Sequence, residues 1–268
     1  MGLAAAFFDL DRTVVARSSA LAFGRPFYRD GLIKRRDMIK GAYAQLAFRL
    51  GGADAAAMAR TRDYLAQLCQ GWSVEQVRQI VTEALDELIN PYIYAEAWAL
   101  IESHQAAGRD VVLVSASGEE IVRPIGETLG VTDVIATRMA VDDGYYTGEV
   151  EFYAAGEHKA TAVRELAAAR GYDLTASYAY SDSIADLPLL ETVGHPTVVN
   201  PDRALRRVAI ERGWPIRELR HPVPLRRRLR DKRAVPVAAA AVGVGIAIGI
   251  AWYGHRRWGR RATRAAAA

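Results

Sequence analysis

Short apolar runs that end in polar residues alternate with helical patterns through much of this sequence, and that alternation admits few architectures. LAAAFF at 3–8, VVLVS at 111–115, TASYAYSD at 175–182 and PTVVN at 196–200 read as strands. EEIVRPIGETLG follows the second run, and HKATAVRELAAARG at 158–171 precedes the third. Strands of this length with helices between them predict a parallel sheet covered on both faces. The ligand crevice of such a sheet lies at the carboxyl ends of its strands.

Residues 16 to about 95 break the rhythm. GGADAAAMARTRDYLAQLC reads as a helix after a glycine pair, and SVEQVRQIVTEALDELI as another, with Ser73 as N-cap. Val77, Ile80, Val81, Ala84, Leu85 and Leu88 form its apolar face. Met38, Tyr43, Leu46, Ala47 and Leu50 mark a further helical candidate. The segment reads as a helical insertion after the first strand, either a lid over the ligand end or a plain helical subdomain. In VDDGYYTGEV, residues 141–150, Asp143-Gly144 signals a hairpin.

The last section changes character. Residues 234–254 carry no charge, and as one helix they would span roughly 30 Å, the hydrocarbon thickness of a membrane. Trp252 and Tyr253 sit at one end, Pro236 near the other, and basic residues crowd both flanks. The expectation is a single transmembrane helix, with 217–233 a basic juxtamembrane linker and 255–268 a basic tail. Gly245 and Gly249 permit close helix pairing, hence a homodimer through this helix. The flanking charges put the catalytic body, 1–216, in the cytoplasm, held close to anionic headgroups.

The formal charge of +4 hides an asymmetry, because Arg and Lys concentrate after residue 216 and leave the body before it acidic. That tail has no aromatic stacking pattern or reading motif, so no nucleic-acid partner is expected. A length of 268 residues, 51% of them hydrophobic, supplies one sizeable core with room for a smaller second domain. Cys69 is the only cysteine, which excludes an intrachain disulfide and a cysteine-rich zinc site and suits a reducing compartment. MGLAAAFFDLD lacks a basic n-region and meets Asp9 and Asp11 after a few residues, so it reads as a strand entering a site, not as a signal peptide.

The polar residues at the strand ends carry the chemistry. Asp9 and Asp11 follow an apolar run, where two acids are costly unless they bind something. In a continuing strand both would point the same way, whereas Asp11 at the start of a turn would change direction. An Asp-rich capping turn explains the pair equally well on spacing alone. Ser115 ends the second strand in VLVSASG, where a hydroxyl, small residues and helix N–H groups make an anion cradle. Lys159 opens a helix and can neutralise a phosphoryl oxygen. Asp182 and Asp186 follow the third strand, Asp182 placed to bind a hard cation through oxygen and Asp186 to orient neighbours.

In that order, acid pair, hydroxyl, lysine, acid pair, the sequence resembles the haloacid-dehalogenase-like phosphatases, in the branch that includes phosphoserine phosphatase. FFDLDRT at 7–13, VVLVSASG, GEHKA and SDSIADLPLL match its four motifs, and the resemblance runs from residue 3 to about 216. It implies an α/β fold: a Rossmann-like parallel sheet flanked by helices, with a helical cap insertion at about 16–95, to which the C-terminal transmembrane helix is added here. It implies a magnesium-dependent phosphomonoester hydrolase working through an aspartyl phosphate. Asp9 would be the nucleophile and Asp11 the general acid and base. Asp9, Asp182 and the Asp11 carbonyl would hold Mg2+. Thr13, Ser115 and Lys159 would hold the phosphoryl group, and Asp186 would support the metal side. A phosphotransferase, or a non-catalytic regulatory protein at the membrane, is the alternative; the complete catalytic set argues against the second.

Two positions depart from the pattern. Arg12 stands where small residues are common and is tolerable if its side chain faces away. Phosphoserine phosphatases carry a glutamate at the lid entry to hold the substrate's amino group, and the aligned position here is Ser18, beside Arg17. Phosphoserine is therefore expected to be a poor substrate, unless an acid of the insertion such as Asp30 or Asp37 replaces the contact. Another small phosphorylated molecule, or a lipid phosphate reached from the membrane, fits at least as well.

Overall fold

The computed structural model describes residues 3–34 and 55–222. The chain divides into two units, Met1–Val223 and Pro224–Ala268, and the described residues all belong to the first.

Strand β1 (Ala5–Phe8) lies between β2 (Asp110–Gly118) and β5 (Tyr178–Ser181), both parallel to it. The sheet continues through β3 (Asp133–Asp142) to β4 (Tyr145–Phe152) on one side, and through β6 (His195–Val199) to β7 (Ile216–Arg217) on the other. Only the β3–β4 pair is antiparallel among these strands. Its turn has Asp143 at φ 44 and Gly144 at φ 81, both left-handed as a tight hairpin requires. Chain order thus reverses at β1 and β5, and the crevice opens beyond their carboxyl ends.

Central strands covered on both faces must be apolar throughout, and Ala5, Ala6, Phe7 and Phe8 are all buried. On one face Phe7, Val112, Val114, Ala179 and Val198 pack against Val163 of α7 (Glu157–Arg170), Leu189 and Leu190 of α8 (Leu187–Thr192) and Leu205 of α9 (Arg203–Glu211). On the other, Phe8 stacks on Tyr180 at 4.3 Å between centroids, beneath His104 of α5 (Ala95–Ala106). His104 accepts from Arg109 Nε at Nδ1, 2.7 Å, which leaves Nε2 to donate to the Tyr180 hydroxyl at 2.8 Å. Burial, and then Arg109, hold its pKa down to about 4, so the core histidine is neutral. Gly194 is required for a close approach: a Cβ there would sit 1.8 Å from the Thr175 carbonyl oxygen.

The described residues of the insertion are largely helical, as the periodicity predicts. It contains α1 (Ser19–Ala22), α2 (Gly24–Arg29), α3 (Ala55–Cys69) and α4 (Val74–Leu88). Ser73 caps α4, accepting from Gln76 N at 3.3 Å, and Val77, Ile80 and Val81 are buried towards α6 (Glu119–Thr128). Each buried side chain of that size stabilises by roughly 1.5–3 kcal/mol. The loop between α3 and α4 docks on the hairpin: Gly71 N donates to the Tyr146 carbonyl at 2.8 Å, Tyr146 N to the Trp72 carbonyl at 3.0 Å, and Val74 N to the Gly144 carbonyl at 3.0 Å. The helical candidate at 38–50 lies outside the described residues.

One part of the expected fold is corrected. No helix among the described residues is long and apolar enough to cross a membrane. The longest of them, α3 and α4, have 15 residues, about 22 Å at 1.5 Å per residue, against roughly 30 Å of hydrocarbon. Residues 234–254 lie outside the described residues. Among the described residues the architecture is an α/β sheet with flanking helices and a helical insertion, with no membrane-spanning helix. The single-pass membrane location, the membrane and lipid-phosphate partners and the homodimer through Gly245 and Gly249 rested on that helix and fall with it.

Candidate active site

Asp9 is the first residue beyond β1, and its N–H still donates to the Tyr180 carbonyl of β5 at 2.9 Å. Sheet pairing thus fixes its backbone at the point where chain order reverses. The chain then turns: Val14 and Val15 donate to the Leu10 carbonyl, both at 2.9 Å, and Arg12 takes the left-handed φ of 62. Asp11 therefore starts a turn and does not continue the strand. Its Oδ1 accepts from Ser19 N at 2.9 Å, on the first turn of α1. Ser19 Oγ in turn lies 2.8 Å from Ser117 Oγ at the end of β2.

Lys159, near the start of α7, is 3% exposed. Its Nζ donates to Asp9 Oδ1 at 2.7 Å and to Asp186 Oδ2 at 2.8 Å. Ser181 Oγ adds a third arm, donating to Asp186 Oδ2 at 2.7 Å. Asp182 begins the loop after β5, and Asp202 holds that loop by accepting from Ile184 N at 2.8 Å. Arg12 Nη2 lies 2.7 Å from Asp182 Oδ2, an ion pair in which that buried oxygen gains no well-aligned hydrogen bond. Thr13 Oγ1 is buried without a hydrogen-bond partner, and buried Ser115 accepts from Ser117 N at 3.2 Å, leaving its own proton to give.

Asp9, Asp11 and Asp182 are each shifted by their buried surroundings. Burial pushes the Asp9 carboxyl up to about 7 against the pull of Lys159. Burial also raises Asp11, opposed by its bonds to Ser19, and raises Asp182 well above its ordinary value, with Asp9 adding to the effect and Arg12 opposing it. For Lys159 burial acts downwards, but Asp186 and Asp9 outweigh it and hold the ammonium above its ordinary pKa. A charged lysine beside carboxylates that resist ionisation is a site short of positive charge.

The motif residues read from sequence thus converge at the carboxyl ends of β1, β2 and β5 and the start of α7. Asp9, Lys159 and Asp186 are in direct contact, whereas the Asp11 carboxylate turns to Ser19. Arg12 does not face away; the left-handed turn swings it onto Asp182. Ser19 and Ser117 escaped the sequence reading, since a contact across 98 positions leaves no local signal. Ser18 caps α1, accepting from Leu21 N at 3.5 Å, and Arg17 stacks over Tyr92 at 4.2 Å. Asp30 Oδ1 is taken by Arg29 at 3.1 Å, and Asp37 lies outside the described residues.

Comparison with known proteins decides the family. The family described as haloacid dehalogenase-like hydrolase matches residues 6–191. The chain belongs to that family. A probable phosphatase of Mycobacterium tuberculosis is 57% identical over 89% of this chain and 84% of its own. A phosphoserine phosphatase of the same organism is 38% identical over 81% of this chain and 71% of its own. A solved Bordetella pertussis protein of unknown function superposes with TM-score 0.71 at 29% identity, over 81% of this chain and 99% of that one. As a haloacid dehalogenase-like hydrolase of the phosphoserine-phosphatase-like branch, the chain is a magnesium-dependent phosphomonoester hydrolase acting through an aspartyl phosphate.

Proposed function

We propose that Asp9 is the nucleophile of this phosphatase, that Asp11 is its proton donor and acceptor, and that the substrate is a small phosphomonoester other than phosphoserine. The observation that carries the assignment is Lys159 bridging Asp9 and Asp186 at 2.7 and 2.8 Å beside Asp182. It leaves Asp9 anchored through one oxygen, with the other available to attack phosphorus. The phosphoryl group transfers to Asp9 as the ester oxygen leaves with a proton from Asp11. Water then attacks phosphorus, Asp11 takes its proton, and phosphate departs. The raised pKa of buried Asp11 suits a group that gives and regains a proton near neutrality. Thr13 and Ser115 bring hydroxyl donors to the phosphoryl oxygens, and Lys159 brings positive charge. Asp186 holds Lys159.

The residues present fit a magnesium ion. Asp9, Asp182 and the Asp11 carbonyl form an oxygen-only set, and the unbonded buried Oδ2 of Asp182 supports it. No group of three acidic, histidine or cysteine ligands occurs among the described residues. Magnesium tolerates that, since it is held by one or two carboxylates together with substrate and water. Bound there, it lowers the repulsion between Asp9 and an anionic phosphate.

Phosphoserine is disfavoured because the lid-entry position holds Ser18, not an acid. A screen of purified protein against small phosphomonoesters, run with magnesium and with chelator, tests both points. Activity is expected to vanish in chelator and return with Mg2+, with kcat/KM for phosphoserine at least about tenfold below the best substrate. Full activity after metal removal rejects the metal assignment, and a clear preference for phosphoserine rejects the substrate assignment.

A further inference from the structure

Arg12 occupies an unusual place twice over. Its backbone is left-handed, at φ 62, a conformation that glycine or asparagine adopts at lower cost. Its side chain reaches into the acidic centre, with Nη2 2.7 Å from Asp182 Oδ2. The two partners differ sharply in exposure: the Asp182 side chain is 4% exposed and that of Arg12 is 38% exposed.

Formal charges show what the contact does. Among the described residues, Asp9, Asp11, Asp182 and Asp186 have the cations Lys159 and Arg12 beside them, and Lys159 is committed to Asp9 and Asp186. Asp182 is left with Arg12. A buried carboxylate without a counter-charge is strongly destabilising. The ion pair also lacks a well-aligned hydrogen bond, so Arg12 acts on Asp182 chiefly through its charge. With its side chain more than a third exposed, the guanidinium can withdraw towards solvent without itself being stranded in a buried site.

We propose that Arg12 is a resident counter-ion of Asp182: it stabilises the metal-free site and competes with magnesium for the same carboxylate. The proposal rests on the reading of Asp182 as a magnesium ligand. The protein then folds without the ion and binds it more weakly than its carboxylates alone would, because a like charge stands beside the ion. Magnesium occupancy thereby becomes dependent on magnesium concentration and not fixed at folding.

Isothermal titration of the purified chain with Mg2+ alone, together with melting temperatures in chelator and in Mg2+, tests this. Arg12→Gln keeps the backbone strain and removes the charge. It is expected to bind Mg2+ about tenfold more tightly, to melt lower than wild type in chelator, and to gain more from added Mg2+. Arg12→Lys retains the charge and is expected to stay near wild type in all three. Asp182→Asn separates the two levels of the argument. If it loses Mg2+ binding while Arg12→Gln binds with unchanged or weaker affinity, the counter-ion proposal is overturned and the ligand assignment stands. If Asp182→Asn binds Mg2+ as wild type does, both fall.

Discussion

Asp9→Asn is expected to lower turnover by about 10⁴-fold or more while leaving the protein folded. The amide is nearly isosteric and its oxygen can still accept from Lys159 Nζ, now 2.7 Å from Asp9 Oδ1. Lys159 also keeps its bond to Asp186 at 2.8 Å, so the ammonium is not stranded. What is lost is the nucleophile, since an amide does not readily form the acyl phosphate. Binding of inorganic phosphate should survive, because Thr13, Ser115 and Lys159 are untouched. Turnover near the wild-type rate in a variant with a native melting profile would remove Asp9 from its role.

The second large effect falls on stability as well as activity. Lys159→Met fills similar volume but leaves Asp9 and Asp186 without their shared cation in a buried site. Removing one partner of a buried ion pair costs about 3–5 kcal/mol, and two carboxylates lose their partner here. Activity should fall at least about a hundredfold, the scale of losing one preorganised electrostatic contact. Adding Asp186→Asn to Lys159→Met removes one uncompensated charge. The double variant should recover a substantial part of the stability and none of the turnover. Denaturant unfolding of both proteins distinguishes this from a packing effect, in which the second change would bring no recovery.

Most of what positions the site could be read from sequence because it is local. An apolar run that stops at a polar residue marks a buried strand entering a crevice, and this places Asp9 and Asp182 just beyond the ends of β1 and β5, while β2 runs three residues past Ser115, to Gly118. Asp143-Gly144 marks the hairpin for an equally local reason, its left-handed turn. What sequence missed depends on the path of the chain in space. The left-handed residue at Arg12 reverses a side chain that a flat reading points outward, while Asp11 takes the turned alternative that its spacing left open. Helix α5 escaped notice because it buries a histidine, which finds its partners in Arg109 and in Tyr180, 76 positions away. The extent of β3 was hidden by its polar and charged residues, and β7 is only two residues long. The membrane span was inferred from residues 234–254 alone, a segment remote in sequence from every residue of the site.

A covalent phosphate on the Asp9 carboxylate can be read directly by chemical trapping. The enzyme would be quenched during turnover of a good phosphomonoester with magnesium, treated with borohydride to reduce any acyl phosphate, digested and analysed by mass spectrometry. Position 9 should appear as homoserine in the peptide containing FFDLDRT, and not in samples lacking substrate. Turnover in which Asp9 stays unmodified while Asp11, Asp182 or another residue carries the label would contradict the account.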